Sequence, residues 1–219
     1  MTPKEVFDCL KEHLHIPDPF YKDCNDDFEE IFAEAISNLP GYWNIQSGAS
    51  RVCLIPDDEN FVIKIPFRGD EDDGDFYGAR AKGKRCWDYC ATEVKLYYRA
   101  KSKKIAPVFA KEYKIGEIDG YPIYVQTKVL ITCDKPSSSS LEKKYKVSKK
   151  VEKFVQNSRL GDHIDSFWAQ MVTIKYGELF FNALEKFFDE YCIWDLHNGN
   201  IGFDENDNPV IFDYASFNQ

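Results

Sequence analysis

The sequence has no apolar run long enough to serve as a membrane span. A helix needs about 20 consecutive apolar residues to cross a bilayer, and no segment of the 219-residue chain approaches that length. The opening segment MTPKEVFDCLKEH also lacks the apolar region of a secretion signal. We therefore expect a folded, soluble, cytoplasmic protein with no membrane partner.

The sequence also lacks paired cysteine motifs and an excess of basic charge. Its seven cysteines are scattered without CxxC spacing, which is typical of reduced core thiols rather than of a disulfide or zinc framework. Cys86 and Cys90 are one helical turn apart, but no second ligand pair lies nearby. The net charge of -9 disfavours nonspecific binding to nucleic acid, so we expect no nucleic-acid partner.

Hydrophobic periodicity predicts an α+β fold. Helical spacing recurs within residues 1–40 and 84–103, whereas residues 42–66 and 108–131 alternate as strands do. The order is helices, three strands, a helix and two strands. A polar joint at 136–140 precedes a lysine-rich helix at 141–153, and an apolar helix at 166–191 leads to a C-terminal hairpin. The acidic stretch 70–75 is interpreted as a solvated loop.

Residues near the end of the sequence have the pattern of a metal site. Asp195 begins the segment DLHNGN, Asn200 ends it, and Asp213 ends the next apolar stretch, VIFD. A hairpin between these segments would fold Asp213 back over the first loop and bring the three side chains together. Hard oxygen ligands of this kind suit Mg²⁺, which completes its shell with phosphate oxygens and water. The spacing therefore predicts nucleotide chemistry.

These segments resemble the protein-kinase-like superfamily. DLHNGN is similar to its catalytic loop, in the DLHxGN form of aminoglycoside phosphotransferases and of short phage or bacterial kinase-like proteins. VIFDYA is similar to the strand and metal-binding Asp of DFG, FVIKIPF to the VAIK strand, and WDYCATEVKLYYRA to the helix whose Glu pairs with the VAIK lysine. The resemblance covers about residues 42 to 215.

The resemblance implies a two-lobed fold. Residues 1–40 are predicted to be an N-terminal helical extension, residues 41–132 an N-lobe with a small antiparallel sheet and one helix, and residues 133–219 a truncated, mostly helical C-lobe. It also implies the cofactors ATP and Mg²⁺, and a location in the cytoplasm, or in the host cytoplasm for a phage protein. Because the sequence ends soon after Asp213, we expect no activation segment.

The resemblance assigns roles to individual residues. Asp195 would orient the acceptor hydroxyl, and Lys64 would bind phosphate and pair with Glu93, for which Glu112 and Glu117 are rivals. Asn200 and Asp213 would hold Mg²⁺. The turn Ser47, Gly48, Ala49 and Ser50 would cover the phosphates, and Val129, in the hinge at 126–131, would contact the nucleotide. His197 is interpreted as a structural residue that holds the backbone and Asp213.

Several positions depart from the kinase pattern. The phosphate turn has one glycine, Ile193 and Trp194 replace the His and Arg of HRD, and Asp213 is followed by Tyr and Ala. Our first hypothesis is an ATP- and Mg²⁺-dependent phosphotransferase acting on a hydroxyl, slightly favoured to be protein Ser/Thr rather than a small molecule. The alternatives are a noncatalytic pseudokinase that captures a protein partner, and an enzyme that transfers AMP.

Overall fold

Alternating apolar residues in the first half of the chain form an antiparallel sheet. The computed structural model describes residues 1–18, 20, 28–48, 50–67, 88–131 and 144–215. Its larger sheet has five strands in the order β1-β2-β3-β5-β4, and every neighbouring pair is antiparallel. The strands are β1 (Trp43–Ser47), β2 (Arg51–Pro56), β3 (Phe61–Pro66), β4 (Glu112–Ile118) and β5 (Tyr121–Thr127). The predicted antiparallel sheet is confirmed.

Helices dominate the rest of the described chain. They are α1 (Pro3–His13), α2 (Phe28–Ile36), α3 (Tyr89–Ser102), α4 (Lys149–Gln156), α5 (Ser166–Tyr176) and α6 (Glu178–Tyr191). A small second sheet contains β6 (Leu130–Ile131), β7 (Ile201–Phe203) and β8 (Pro209–Ile211), in that order. The α+β class and the C-terminal hairpin, formed by β7 and β8, are therefore confirmed.

The chain forms two compact units. Unit 1 comprises Met1–Val94 and Lys111–Lys128, and unit 2 comprises Lys95–Ala110 and Val129–Phe217. Each unit has a hydrophobic core of its own.

The core of unit 1 lies between the five-stranded sheet and the N-terminal helices. Side chains alternate between the two faces of a strand, and one face presents Val52, Leu54, Ile63, Ile65, Ile123 and Val125. Val6 and Leu10 from α1 and Phe32 from α2 belong to the same core and are at most 1% exposed. The helices α1 and α2 therefore supply part of this core, while the other face of the sheet remains for polar side chains.

Aromatic residues fill the core of unit 2. Phe187 and Phe188 of α6 contact Phe109, whose ring also meets Tyr214 edge to face. Trp168 of α5 is fully buried, and its indole N–H donates to the Gly202 carbonyl at 3.0 Å. Since Gly202 belongs to β7, this bond ties the small sheet to the helical core.

The prediction of one apolar helix at 166–191 is wrong. Gly177 has φ 88°, outside the helical region, and it ends α5 and directly precedes α6. Glycine adopts this conformation without the steric cost that a side chain would impose. The predicted strand start at 108 is also wrong, because Ala106–Val108 form a 3₁₀ turn and β4 begins at Glu112.

Some predictions concern residues outside the described ranges. They include Ala49, the acidic stretch 70–75, Cys86, the polar joint at 136–140 and the first three residues of the lysine-rich segment. The prediction of one helix over 141–153 is wrong, because residues 145–148 are not helical and Ser148 caps α4, which begins at Lys149. Within the described residues, Cys9, Cys53, Cys90 and Cys192 are free thiols. No helix among these residues has both the length and the apolar character of a membrane span.

Candidate functional site

Lys64 lies on the face of the five-stranded sheet that is turned away from the apolar core of unit 1. Its neighbours in β3, Ile63 and Ile65, point into that core, so alternation directs Lys64 to the opposite face. Its cross-strand partners are Cys53 on β2 and Tyr124 on β5. Although it carries a charge, Lys64 is only 4% exposed. A buried ammonium group needs acidic partners.

Lys64 and three other buried charged residues form a group that we call the ion cluster: Arg51, Lys64, Glu93 and Glu112. The Lys64 ammonium lies 3.0 Å from Glu93 Oε2 and 3.0 Å from Glu112 Oε2. Arg51 donates to Glu93 Oε2 at 2.6 Å. Gln126 donates its amide N–H to Glu112 Oε2 at 2.7 Å. The expected pair of Lys64 with Glu93 is present, and the rival Glu112 makes a second contact.

Glu117, the other rival for Lys64, lies elsewhere. It is exposed on β4 and pairs with Lys114 on the same strand. An odd number of positions separates Glu117 from Glu112, so regular alternation would put the two side chains on opposite faces of the sheet. The pairing of β4 with β5 changes register between Lys114 and Gly116, so alternation does not hold along the whole strand. Glu117 serves below as a surface control.

The start of α3 determines where Glu93 lies. Asp88 caps this helix by accepting the Ala91 backbone N–H at 2.8 Å through Oδ1, while its Oδ2 accepts the Tyr124 hydroxyl. The first bond fixes the first turn of α3, and the second ties that turn to β5. Because Glu93 follows within the next turn, both contacts hold its carboxylate over Lys64.

Burial and neighbouring charges shift the pKa values of the ion cluster in different directions. Burial favours the neutral amine of Lys64, but the charges of Glu112 and Glu93 outweigh it and raise the Lys64 pKa above its usual value. Burial also opposes ionisation of Glu93, yet Arg51 and Lys64 hold its pKa well below the usual range. For Glu112, burial and the Glu93 charge together raise the pKa well above that of an ordinary carboxyl.

The ion cluster is a poor metal site despite its donor atoms. Cys90, Glu93 and Glu112 are buried, and each offers one possible ligand atom. These three atoms lie within 4.8 Å of one another. However, Lys64 contacts both carboxylates, Arg51 contacts Glu93, and burial raises the pKa of Cys90 well above its usual value. A divalent cation would have to displace the ammonium and bind a thiol that favours its neutral form. The donor set fits an ion-pair network better.

The predicted phosphate turn connects β1 to β2. The Gly48 N–H donates to the Arg51 carbonyl at 2.9 Å, so this amide is used within the turn. Ser50 accepts the Phe67 N–H through its carbonyl and the Arg51 Nε through its hydroxyl at 3.2 Å. Ser47 is exposed. Arg51 thus links the turn to the ion cluster, a connection that the sequence did not predict.

Asp195 and Asn200 lie at the two ends of one tight loop in unit 2. The Asn200 side-chain N–H donates to the Asp195 carbonyl at 2.8 Å, and its backbone N–H donates to the His197 carbonyl at 2.9 Å. The Asp195 side chain is 60% exposed, whereas Asn200 is buried. The loop therefore presents a carboxylate to solvent while the amide of Asn200 is held in place.

The orientation of the Asn200 amide is determined by its partner. Because a carbonyl oxygen accepts hydrogen bonds, the amide nitrogen must face Asp195 and the amide oxygen must face away. Among the described residues, Oδ1 of Asn200 has no hydrogen-bond partner. An oriented amide oxygen is a suitable ligand for Mg²⁺.

The β7-β8 hairpin brings Asp213 near this loop. The Phe212 N–H donates to the Asn200 carbonyl at 3.0 Å, and Asp213 is the next residue. Asp195, Asn200 and Asp213 are thus carried by one hydrogen-bonded loop and hairpin. An amide oxygen and a carboxylate are oxygen donors of the kind that Mg²⁺ requires.

His197 supports the loop in a different way from that predicted. Its Nδ1 accepts the Gly199 N–H at 2.9 Å, so the ring holds the backbone as expected. In the described part of the chain, however, the ring makes no hydrogen bond to Asp213. Nε2 lies 3.8 Å from Asp195 Oδ1, which is too long for a hydrogen bond.

Two further positions named from the sequence lie in unit 2. Val129 is half-buried between β5 and β6, and its side chain lies so near Gly202 that a methyl group there would come within 2.8 Å of it. Trp194 precedes Asp195 and is held by Arg159, whose guanidinium lies 4.5 Å from the ring centroid, and by the His163 ring at 5.1 Å. Trp194 therefore anchors the start of the loop.

Comparison with known proteins assigns no family to the chain. No protein-family model matches the sequence, and no curated protein matches it either.

Sequence reasoning missed Arg51 and gave Glu112 only a secondary place. Arg51 begins the strand RVCLIP, where a basic residue in front of an apolar run is usually exposed. Cys53 on the same strand pairs with Lys64, so strand alternation places Arg51 on the Lys64 face. The register between β2 and β3 would have indicated that Arg51 lies beside Lys64. The sequence alone does not specify this register, because it depends on how the hairpin pairs.

Proposed function

We propose that the chain is an ATP- and Mg²⁺-dependent phosphotransferase with a protein-kinase-like, two-lobed fold. It transfers the γ-phosphoryl group to a hydroxyl acceptor, with protein Ser/Thr slightly preferred over a small molecule. The observation that carries the proposal is the loop and hairpin that hold Asp195, Asn200 and Asp213, with the Asn200 amide oxygen oriented as a ligand. The buried pair of Lys64 and Glu93 supports it independently.

Each residue has a role that matches its environment. The exposed Asp195 carboxylate orients the acceptor hydroxyl and accepts its proton. The amide oxygen of Asn200 and the Asp213 carboxylate would hold Mg²⁺, which neutralises phosphate charge when it is bound. Lys64 donates to phosphate oxygens, and Glu93 holds its ammonium. Catalysis of this kind relies on positioning and electrostatics.

A noncatalytic nucleotide-free binding module is the second candidate function. The observation that favours it is the ion cluster, because both carboxylates engage Lys64 and the side chain is only 5% exposed. These contacts satisfy the ammonium without a nucleotide. In that case the protein would capture a partner through other surfaces.

A phosphate-transfer assay tests the proposal. The purified protein is incubated with Mg²⁺ and γ-labelled ATP, alone and with protein or aminoglycoside acceptors, and the label on each acceptor is measured. We expect transfer that falls by at least about 100-fold in Asp213→Asn and Asp195→Asn, since each removes a group acting on the reacting phosphate or hydroxyl. Glu152→Gln is the control, because Glu152 lies in the same unit and is exposed on α4, away from the loop and its supporting residues in the sequence.

A parallel thermal-shift titration with ATP and Mg²⁺ separates the candidates. A shift together with transfer supports the phosphotransferase. If the protein shows no thermal shift and no phosphate transfer, the phosphotransferase proposal is overturned and the binding module is favoured. Label that is transferred from α-labelled ATP would instead indicate AMP transfer.

A further inference from the structure

Glu112 is the member of the ion cluster that the proposed chemistry does not require. Lys64 already has Glu93 as a partner, and Arg51 also neutralises Glu93. Glu112 adds a second buried carboxylate that is 0% exposed. Its Oε2 accepts from Lys64 and Gln126, but its Oε1 is buried without a hydrogen-bond partner among the described residues. Such an oxygen is costly to keep as part of an ionised group.

The carboxylates of Glu93 and Glu112 would respond differently if the Lys64 ammonium left them to bind a phosphate. Glu93 would keep the guanidinium of Arg51 at 2.6 Å. Glu112 would keep only the neutral amide of Gln126, which donates to Oε2 at 2.7 Å. A buried carboxylate that loses its cation binds a proton more tightly, because the neutral acid needs no counter-charge.

The surroundings of Glu112 point in the same direction. Burial and the Glu93 charge already raise its pKa, and Lys64 is the first opposing influence, followed by Arg51. Among the described residues, the ionisable groups found to interact with Glu112 are Arg51 from β2, Lys64 from β3, Cys90 and Glu93 from α3, and Tyr124 from β5. Of these groups, only Lys64 and Arg51 are cations, and Arg51 is bound to Glu93.

We infer that Glu112 takes up a proton from solvent when Lys64 binds the phosphates of a nucleotide. This inference rests on the proposed function and adds a regulatory linkage to it. The carboxylate becomes a carboxylic acid, so the charge of the cluster is preserved when the ammonium turns to the phosphates. Because binding consumes a proton, nucleotide affinity increases as the pH falls, by up to about tenfold per pH unit over the window in which one proton is taken up.

Calorimetry with ADP and Mg²⁺ tests this inference without turnover. The heat of binding is measured in buffers of different ionisation enthalpy, from about pH 6 to about pH 9, and the slope gives the number of protons taken up. Glu112→Gln retains an oxygen that accepts from Lys64 and Gln126 but cannot take up a proton. Glu117→Gln, an exposed change on the same strand, is the matched control.

We expect the wild type and Glu117→Gln to take up a larger fraction of a proton than Glu112→Gln at some pH in this range. Protons that the nucleotide itself exchanges are the same in all three proteins and cancel in the comparison. Nucleotide binding with equal proton uptake in all three would overturn the inference while leaving the proposed function intact. If the wild type bound no nucleotide, the proposed function would fail and the inference with it.

Discussion

At the scale of single residues, two similar buried glutamates have opposite effects on stability. The Glu93 pKa is lowered by Arg51 and Lys64, despite burial, so its ionisation stabilises the fold above the usual carboxyl range and this contribution is lost as the pH falls. The Glu112 pKa is raised, so its contribution has the opposite sign and stability is lost as the pH rises above that range. At neutral pH the contributions of Glu93 and Glu112 to the free energy of unfolding therefore have opposite signs.

Replacing each glutamate by glutamine tests this contrast. We expect Glu93→Gln to lower the free energy of unfolding at neutral pH by about 3–5 kcal/mol, because it leaves the charges of Arg51 and Lys64 without their shared carboxylate. Glu112→Gln should change it by less than about 1 kcal/mol or increase it, since a costly buried charge is removed. Urea denaturation of both variants at neutral pH measures the difference. Equal losses would contradict this assignment of the two charges.

The sequence predicted single residues well only where their chemistry limits the choices. Lys64 was predicted to be inward and paired because apolar residues flank it on both sides. Arg51 was missed because its position depends on the register between β2 and β3, which is set by tertiary contacts. Glu112 was ranked behind Glu93 because local sequence does not indicate which strand lies beside Lys64.

At the scale of elements, close packing against glycine fixes how α1 meets the sheet. A Cβ atom on Gly116 would lie 2.3 Å from Phe7 Cζ, and Gly116 lies at an irregularity in the pairing of β4 with β5. The Phe7 ring of α1 therefore occupies the space that a side chain on β4 would need. Contacts of this kind set the position of a helix more strictly than apolar area does.

Gly116→Ala tests this contact. We expect it to lower the free energy of unfolding by about 1–3 kcal/mol, because the Phe7 ring must leave its position. Combining it with Phe7→Leu should recover part of the loss, which a double-mutant cycle in urea measures. Gly48→Ala is the control and should stay within about 0.5 kcal/mol, since the nearest atom is 4.0 Å away. Strict additivity of the two changes would contradict the proposed contact.

Element boundaries show the limits of pattern reading. The strands of residues 42–66 were predicted because alternation is a local property, whereas β6 was missed because its two residues pair with β7, far along the sequence. The break at Gly177 was missed because apolar spacing continues across it. A single glycine within such a pattern does not by itself indicate a helix end.

At the scale of the whole molecule, the described residues within 1–40 contribute to the folded core of unit 1. Their apolar side chains cover the face of the sheet that carries Leu54, Ile63 and Val125. Without them this face would be exposed to water, at a cost proportional to its apolar area.

Deletion of residues 1–40 should therefore abolish the cooperative unfolding of unit 1. A truncated chain that fails to fold gives no value for the loss of stability. Leu10→Ala therefore provides a test in which the loss can be measured. Leu10 is 0% exposed, so we expect a loss of about 2–5 kcal/mol. Glu12→Ala, on the exposed side of α1, should change stability by less than about 0.5 kcal/mol. Thermal unfolding followed by circular dichroism measures all three, and a cooperative melt of the truncated chain at the wild-type temperature would refute the expectation.

The ion cluster also bears on how this sequence can change over generations. Its two cations balance its two carboxylates: Glu93 contacts both Arg51 and Lys64, and Glu112 contacts Lys64. A descendant that replaced Lys64 and Glu112 together by apolar residues would retain a balanced interior, whereas loss of Lys64 alone would leave a buried carboxylate without its cation. A variant that loses only Lys64 is therefore expected to be less stable than one that loses Lys64 and Glu112 together.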